Sequence, residues 1–123
     1  MDNSGTGAGN AMEEMTEIGL LLDFYGPLLT ENRVRILRLW CEEDLSVSEI
    51  AQEVHISRQG VHDALRRGKA QLREYEGILG MAARYRRILD SVSACRSGLK
   101  RHAQLEWVAD AIRQLDEIEG IER

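Results

Sequence analysis

Within a short stretch of this 123-residue chain lie Ser57, Arg58, Gln59, His62, Arg66, Arg67, Lys69 and Arg73. These residue types in this order suit contact with a polyanion. Residues 66, 69 and 73 recur at i, i+3 and i+7, one stripe of a helix, and such a stripe fits a phosphate backbone. Arg58 and Gln59 would fall in the first turn of the same helix behind Ser57 as its cap, the part of a recognition helix that meets base edges or phosphates. Arg66 and Lys69 would then position the backbone, while Arg58 and Gln59 read bases or grip the groove edge. With about five of these side chains on phosphates, log K would fall with log salt at a slope near −4.

The net charge of −5 hides the asymmetry that makes this chemistry worth considering. Residues 1–57 carry three basic and eleven acidic side chains, residues 58–101 eleven basic and four acidic, and residues 102–123 two basic and six acidic. A local basic field acts over a screening length of about 8 Å, so an acidic total does not exclude a polyanionic partner. A second basic stretch holds Arg84, Arg86, Arg87, Arg96, Lys100 and Arg101. The competing reading is that some of these cations pair with acidic helices of the same chain or of a second subunit, the acidic C-terminal block being the obvious candidate.

The elements that must hold the cations follow from local patterns. Ser46-Val47-Ser48-Glu49 has the S-x-x-E form of a capping box and predicts a short helix to about residue 54. Val54-His55-Ile56 forms a turn in which His55 stands where glycine is frequent and must adopt the left-handed conformation or a related turn. Ser57 caps the next helix, expected to reach about residue 78. Ile50 and Val54 on the first helix, Val61 and Leu65 on the second, and the small Ala51 at their crossing supply the inner seam of a helix-turn-helix over residues 46–67. Gly60, inside the second helix, costs about 1 kcal/mol of propensity relative to alanine and either permits close backbone approach or is tolerated. A helical hairpin serving only packing or protein contact is the alternative.

Around this motif, residues 1–14 read as a disordered tail with little to bury. A helix with Ile18, Leu21, Leu22 and Tyr25 on one face follows, with Thr16 as a candidate cap, and it ends at Gly26-Pro27. Thr30 opens another, with Val34, Leu37 and Cys41 at helical spacing and Ile36 and Trp40 beside them. Residues 80–123 are expected to form a C-terminal helical extension packing on the core or on a second subunit, after a break at Gly80 and with a second break at Gly98. No stretch alternates with period two, so the fold is expected to be all-α with about six helices, residues 15–79 forming the helix-turn-helix domain. The apolar faces of residues 81–96 and 103–119 are predicted to pack on each other and on a twin subunit. Tyr85, Ile88, Trp107 and Ile112 are the candidate dimer contacts, ordinary core burial being the alternative.

Several function classes are disfavoured. His55, His62 and His102 lack metal-ligand spacing, no GxxxxGK[ST] loop is present, no nucleophile triad is suggested, and no cofactor is expected. Cys41 and Cys95 form no CxxC pair and fit a reducing cytosol. No apolar run approaches the roughly 20 residues of a membrane span, and no signal peptide is visible.

Leu21 to Thr30 (LLDFYGPLLT), Asp44 to Ala51 (DLSVSEIA), Ile56 to Asp63 (ISRQGVHD) and Tyr75-Glu76 together resemble the YlxM-type family, small bacterial helix-turn-helix proteins linked to the signal recognition particle. The resemblance covers about residues 17–90. A weaker similarity is to the fourth region of bacterial sigma factors. Gly60 stands where the family has alanine, Trp40-Cys41 replaces an aromatic pair, the N-terminal segment is longer, and residues 91–123 match poorly. The resemblance implies a cytoplasmic, often dimeric protein that acts as an accessory or regulator of co-translational targeting and contacts the particle's RNA or GTPase. The spacing alone implies less: a non-enzymatic helix-turn-helix protein with a basic outer face, binding RNA or DNA. A sigma-type transcription regulator and a protein-interaction module docking on the GTPase are the alternatives.

Overall fold

Thr30, Ser46 and Ser57 each hold extended backbone and turn a side-chain oxygen onto the amide three residues ahead. Each satisfies an amide that a helix start leaves without an internal partner, and each therefore sets where a helix begins. The computed structural model describes residues 7–122. These form α1 (Gly7–Tyr25), α2 (Glu31–Cys41), α3 (Val47–Val54), α4 (Arg58–Leu79), α5 (Met81–Lys100) and α6 (Glu106–Glu122), with a single 3-10 turn at Gly26–Leu28 and no strand among the described residues. The all-α expectation holds.

The chain divides into two compact units after Gly80. That glycine closes α4 in the left-handed conformation (φ 63°), with its amide on the Glu76 carbonyl. In the N-terminal unit, α1, α2 and α3 all pack against α4. Ile18, Leu21, Leu22 and Tyr25 of α1 meet Ile36 and Leu37 of α2, Ile50 of α3, and Val61, Leu65 and Leu72 of α4 in a core of buried apolar side chains. Burying each such side chain stabilises the unit by roughly 1.5–3 kcal/mol. Tyr25 places its ring 6.0 Å from that of Tyr75, and its hydroxyl donates to Glu76 at 2.6 Å. A buried phenol thus finds the partner that burial requires.

Four local expectations need correction. Residues 7–14 are helical rather than part of a disordered tail, because α1 begins at Gly7; residues 1–6 lie outside the described residues. Thr16 is not a cap: it lies inside α1, and its hydroxyl donates to the Met12 carbonyl at 3.0 Å. Gly98 breaks nothing, since α5 continues to Lys100. A single glycine costs a helix only about 1 kcal/mol, which packing against a neighbouring helix can offset. On α2, the deeply buried residues are Ile36 and Leu37, with Val34 and Cys41 half-buried.

The second unit is a pair of helices, α5 and α6, packed on one another. Val92 and Val108 are buried. Arg96 of α5 reaches Asp116 at 2.9 Å and also Glu119, both on α6. Of the residues expected at a dimer contact, Trp107 is 56% exposed, while Tyr85, Ile88 and Ile112 are half-buried.

Candidate nucleic-acid interface

The helix-turn-helix assembles from short-range chemistry. The Ser46 hydroxyl accepts the Glu49 amide at 3.1 Å and the Glu49 carboxylate accepts the Ser46 amide at 2.8 Å, completing the capping box at the start of α3. His55 takes the left-handed conformation at φ 61°, ψ 45°, and the Ile56 amide returns to the Ala51 carbonyl at 3.2 Å. The chain then turns into α4, where the Ser57 hydroxyl accepts the Gly60 amide at 2.9 Å. Ile50 and Ala51 face Val61 and Leu65 across the seam, all four buried. Gly60 sits against its own cap: a Cβ there would lie 3.2 Å from the Ser57 hydroxyl and 3.4 Å from Ile56.

A second close approach fixes how α4 crosses α2. A Cβ built on the buried Gly68 would lie 2.9 Å from Leu37 Cδ1 and 3.2 Å from Arg33 Cγ. Leu37 is fully buried, so it has little room to yield. Gly68 therefore sets the depth of the crossing and, with it, which side of α4 faces outward. Arg33 continues past this point to donate to Gln71 at 2.9 Å.

The outward side carries Ser57, Arg58, Gln59, His62, Arg66 and Arg67, all exposed. Arg66 and Arg67 flank Asp63, Arg67 at 3.1 Å, and keep 72% and 64% of their side-chain surface exposed. Ion pairs this open are worth at most about 1 kcal/mol, so both guanidinium groups are available to a phosphate. Lys69 and Arg73 are held differently. The Lys69 ammonium lies 4.0 Å from the Trp40 ring centroid and 3.3 Å from Glu14, with its side chain only 19% exposed. Arg73 donates to Glu14 at 3.1 Å and to Glu17 at 3.2 Å. The stripe of residues 66, 69 and 73 is thus divided, its last two cations occupied by carboxylates of α1.

The electrostatics match this geometry. Partial burial pushes the Glu14 carboxyl up, but the hydrogen bond from Arg73 and the charge of Lys69 outweigh it and hold its pKa below the ordinary value. The hydrogen bond to Glu17, helped by Glu14, raises the Arg73 pKa in turn. Carboxylates of the N-terminal helix pair with this basic stripe, because α1 packs along α4 and brings Glu14 and Glu17 beside it. Within the second unit, Asp116 and Glu119 of the acidic C-terminal block pair with Arg96. The hydrogen bond to Glu119 comes first in raising the Arg96 pKa, with Asp116 adding to it. Arg84, Arg86, Arg87, Lys100 and Arg101 are exposed.

Three contributors escape a reading of the sequence: Glu14 and Glu17, which lie in or beside the stretch read as a tail, and Gly68, whose role depends on α2. The signal for the carboxylates was their i, i+3 spacing, which matches two cations on a facing helix. No group of three or more His, Cys, Asp or Glu side chains able to hold a metal ion occurs among the described residues.

Comparison with known proteins agrees with this geometry. Residues 12–112 match the model of the UPF0122 family, described as "Putative helix-turn-helix protein, YlxM / p13 like". The chain is 43% identical over 90 residues to a UPF0122 protein of Symbiobacterium thermophilum, covering 73% of this chain and 84% of that relative. It is 46% identical over 74 residues to a UPF0122 protein of Acetivibrio thermocellus, covering 60% of this chain and 63% of the relative. With a UPF0122 protein of Clostridium acetobutylicum it shares 35% identity over 108 residues, 88% of this chain and 93% of that protein.

Proposed function

The chain belongs to the YlxM / p13-like helix-turn-helix family, and from that premise we propose that it is a non-enzymatic nucleic-acid-binding protein acting as an accessory or regulator of the signal recognition particle pathway. The observation that carries the nucleic-acid part is the outer face of α4. Ser57, Arg58, Gln59, His62, Arg66 and Arg67 stand exposed together on a helix whose opposite side is fixed in the core by Val61, Leu65, Gly68 and Leu72. Arg58 and Gln59 read base edges or grip a groove, and Arg66 and Arg67 take phosphates. Lys69 and Arg73 join when their carboxylate partners yield. The link to the particle rests on the resemblance to YlxM-type proteins. The protein works in the cytoplasm as a homodimer, with Trp107, Tyr85, Ile88 and Ile112 at the subunit contact. Among the described residues, no helix is long and apolar enough to cross a membrane.

Salt-titrated binding to the particle RNA, an unrelated RNA hairpin and random duplex DNA tests this reading. A preference for the particle RNA supports it. A preference for a palindromic duplex with half-sites about 34 Å apart supports a sigma-type transcription regulator instead, a reading favoured by Arg58 and Gln59 in the first turn of α4. Failure to bind any of them at low salt refutes a nucleic-acid role and leaves docking on the particle GTPase.

A further inference from the structure

Beside the outer face of α4 lies a groove whose apolar wall this reading leaves unused. Trp40 of α2, Val47 at the start of α3 and Leu65 of α4 give it apolar lining, and His62, Arg66 and Lys69 line it as well. The Trp40 indole turns a face toward Lys69, whose ammonium lies over it, 4.0 Å from the ring centroid.

An aromatic face beside several cations meets the needs of one kind of ligand. An unpaired nucleotide offers a base that stacks on a ring and a phosphate that takes charge-assisted hydrogen bonds. Bases in a duplex are stacked on one another and have no free face to give. An acidic peptide would satisfy the cations but leave the indole without a stacking partner. We propose that this groove takes an unpaired nucleotide of a nucleic-acid strand, its base on Trp40 and its phosphate between Arg66 and Lys69. Lys69 swings from the ring to the phosphate, leaving Glu14, now 3.3 Å away. The inference rests on the nucleic-acid reading above. Arg66 belongs both to the exposed face and to the groove, so a strand leaving a paired segment bound on α4 runs directly into it.

The chain has two tryptophans, so Trp107→Phe leaves Trp40 as its sole indole reporter. Because Trp107 is assigned to the subunit contact, the probes are first compared on the native chain and on this variant, with the oligomeric state of each measured by light scattering. The probes are a thymidylate single strand of about twelve nucleotides, an abasic strand of equal length, a blunt duplex and an oligoglutamate peptide. The thymidylate strand is expected to quench Trp40 fluorescence and to bind roughly tenfold more tightly than the abasic strand. Trp40→Leu should abolish that difference while leaving duplex affinity unchanged, and Trp40→Phe should keep most of it. The phenylalanine variant also covers the case in which leucine disturbs folding. Equal affinity for the thymidylate and abasic strands, without quenching, overturns the groove assignment, and duplex binding in the same experiment shows that the nucleic-acid reading survives. Oligoglutamate competing as well as thymidylate overturns it in favour of an acidic protein partner. If none of the nucleic acids binds, both readings fall together.

Discussion

Removing the two carboxylates that occupy Lys69 and Arg73 should make the protein a stronger and more salt-sensitive binder of duplex nucleic acid. On the native outer face three guanidinium groups are accessible, those of Arg58, Arg66 and Arg67. Three phosphate contacts correspond to a slope of log K against log salt of about −2.7. Glu14→Gln combined with Glu17→Gln frees two more cations, and five contacts give about −4.5. The extra slope of about −1.8, taken from 1 M salt where counterion release vanishes, amounts to an affinity gain of up to about 60-fold at 0.1 M. The stability cost is small, because both carboxylates are partly exposed and such pairs contribute about 1 kcal/mol or less. Fluorescence anisotropy with a labelled random duplex at four or more salt concentrations measures both quantities. An unchanged slope in the double variant, with helicity intact, would refute the idea that α1 restrains the basic stripe.

Arg66→Ala with Arg67→Ala should weaken duplex binding by a similar factor on all sequences and flatten the salt slope by about 2, measured in the same titration; unchanged affinity would remove this part of α4 from the contact. Gly68→Ala should destabilise the fold by about 1–2 kcal/mol in urea unfolding, since the clash with Leu37 exceeds the gain in helix propensity. Gly77→Ala, on the same helix with nothing within 4 Å of the added Cβ, should instead stabilise by about 0.5–1 kcal/mol. His55→Gly should raise the melting temperature by a few degrees, because the exposed His55 holds a left-handed backbone that glycine adopts without a steric penalty. The Glu14 carboxyl has a lowered pKa in the folded protein, so its ion pairs stabilise above the ordinary carboxylate range and are lost as pH falls through the folded value. Urea midpoints measured across the acid limb should therefore fall less steeply in Glu14→Gln.

What the sequence disclosed was whatever local chemistry decides. The capping box at Ser46 and Glu49 needs only four consecutive residues, and of the two turns open to His55 the structure takes the left-handed one. Ser57, Thr30, Gly26-Pro27 and Gly80 are local in the same sense. What stayed hidden depends on a second helix. Gly68 looks like one more weak point in α4 until Leu37 of α2 comes within 2.9 Å of its missing Cβ. Glu14 looks like part of a polar tail until α4 offers it two cations. Gly98 shows the opposite error, a local breaker overruled by the packing of α5 against α6. The outer-face residues were legible as a group because their period is helical, but Lys69 and Arg73 could not be told from Arg66 without knowing what lies beside them.

On α4, the inner contacts and the outer chemistry use different residues: Val61, Leu65, Gly68 and Leu72 on one side, Arg58, Gln59, His62 and Arg67 on the other. Apart from the Tyr25 hydroxyl, which is bonded to Glu76, no polar or charged side chain is buried in the core among the described residues. Substitutions on the outward side can therefore change what that side contacts without taxing the scaffold. A designer could exchange the outward residues of α4 for others of equal helix propensity and expect the chain to fold as before with a different outer surface.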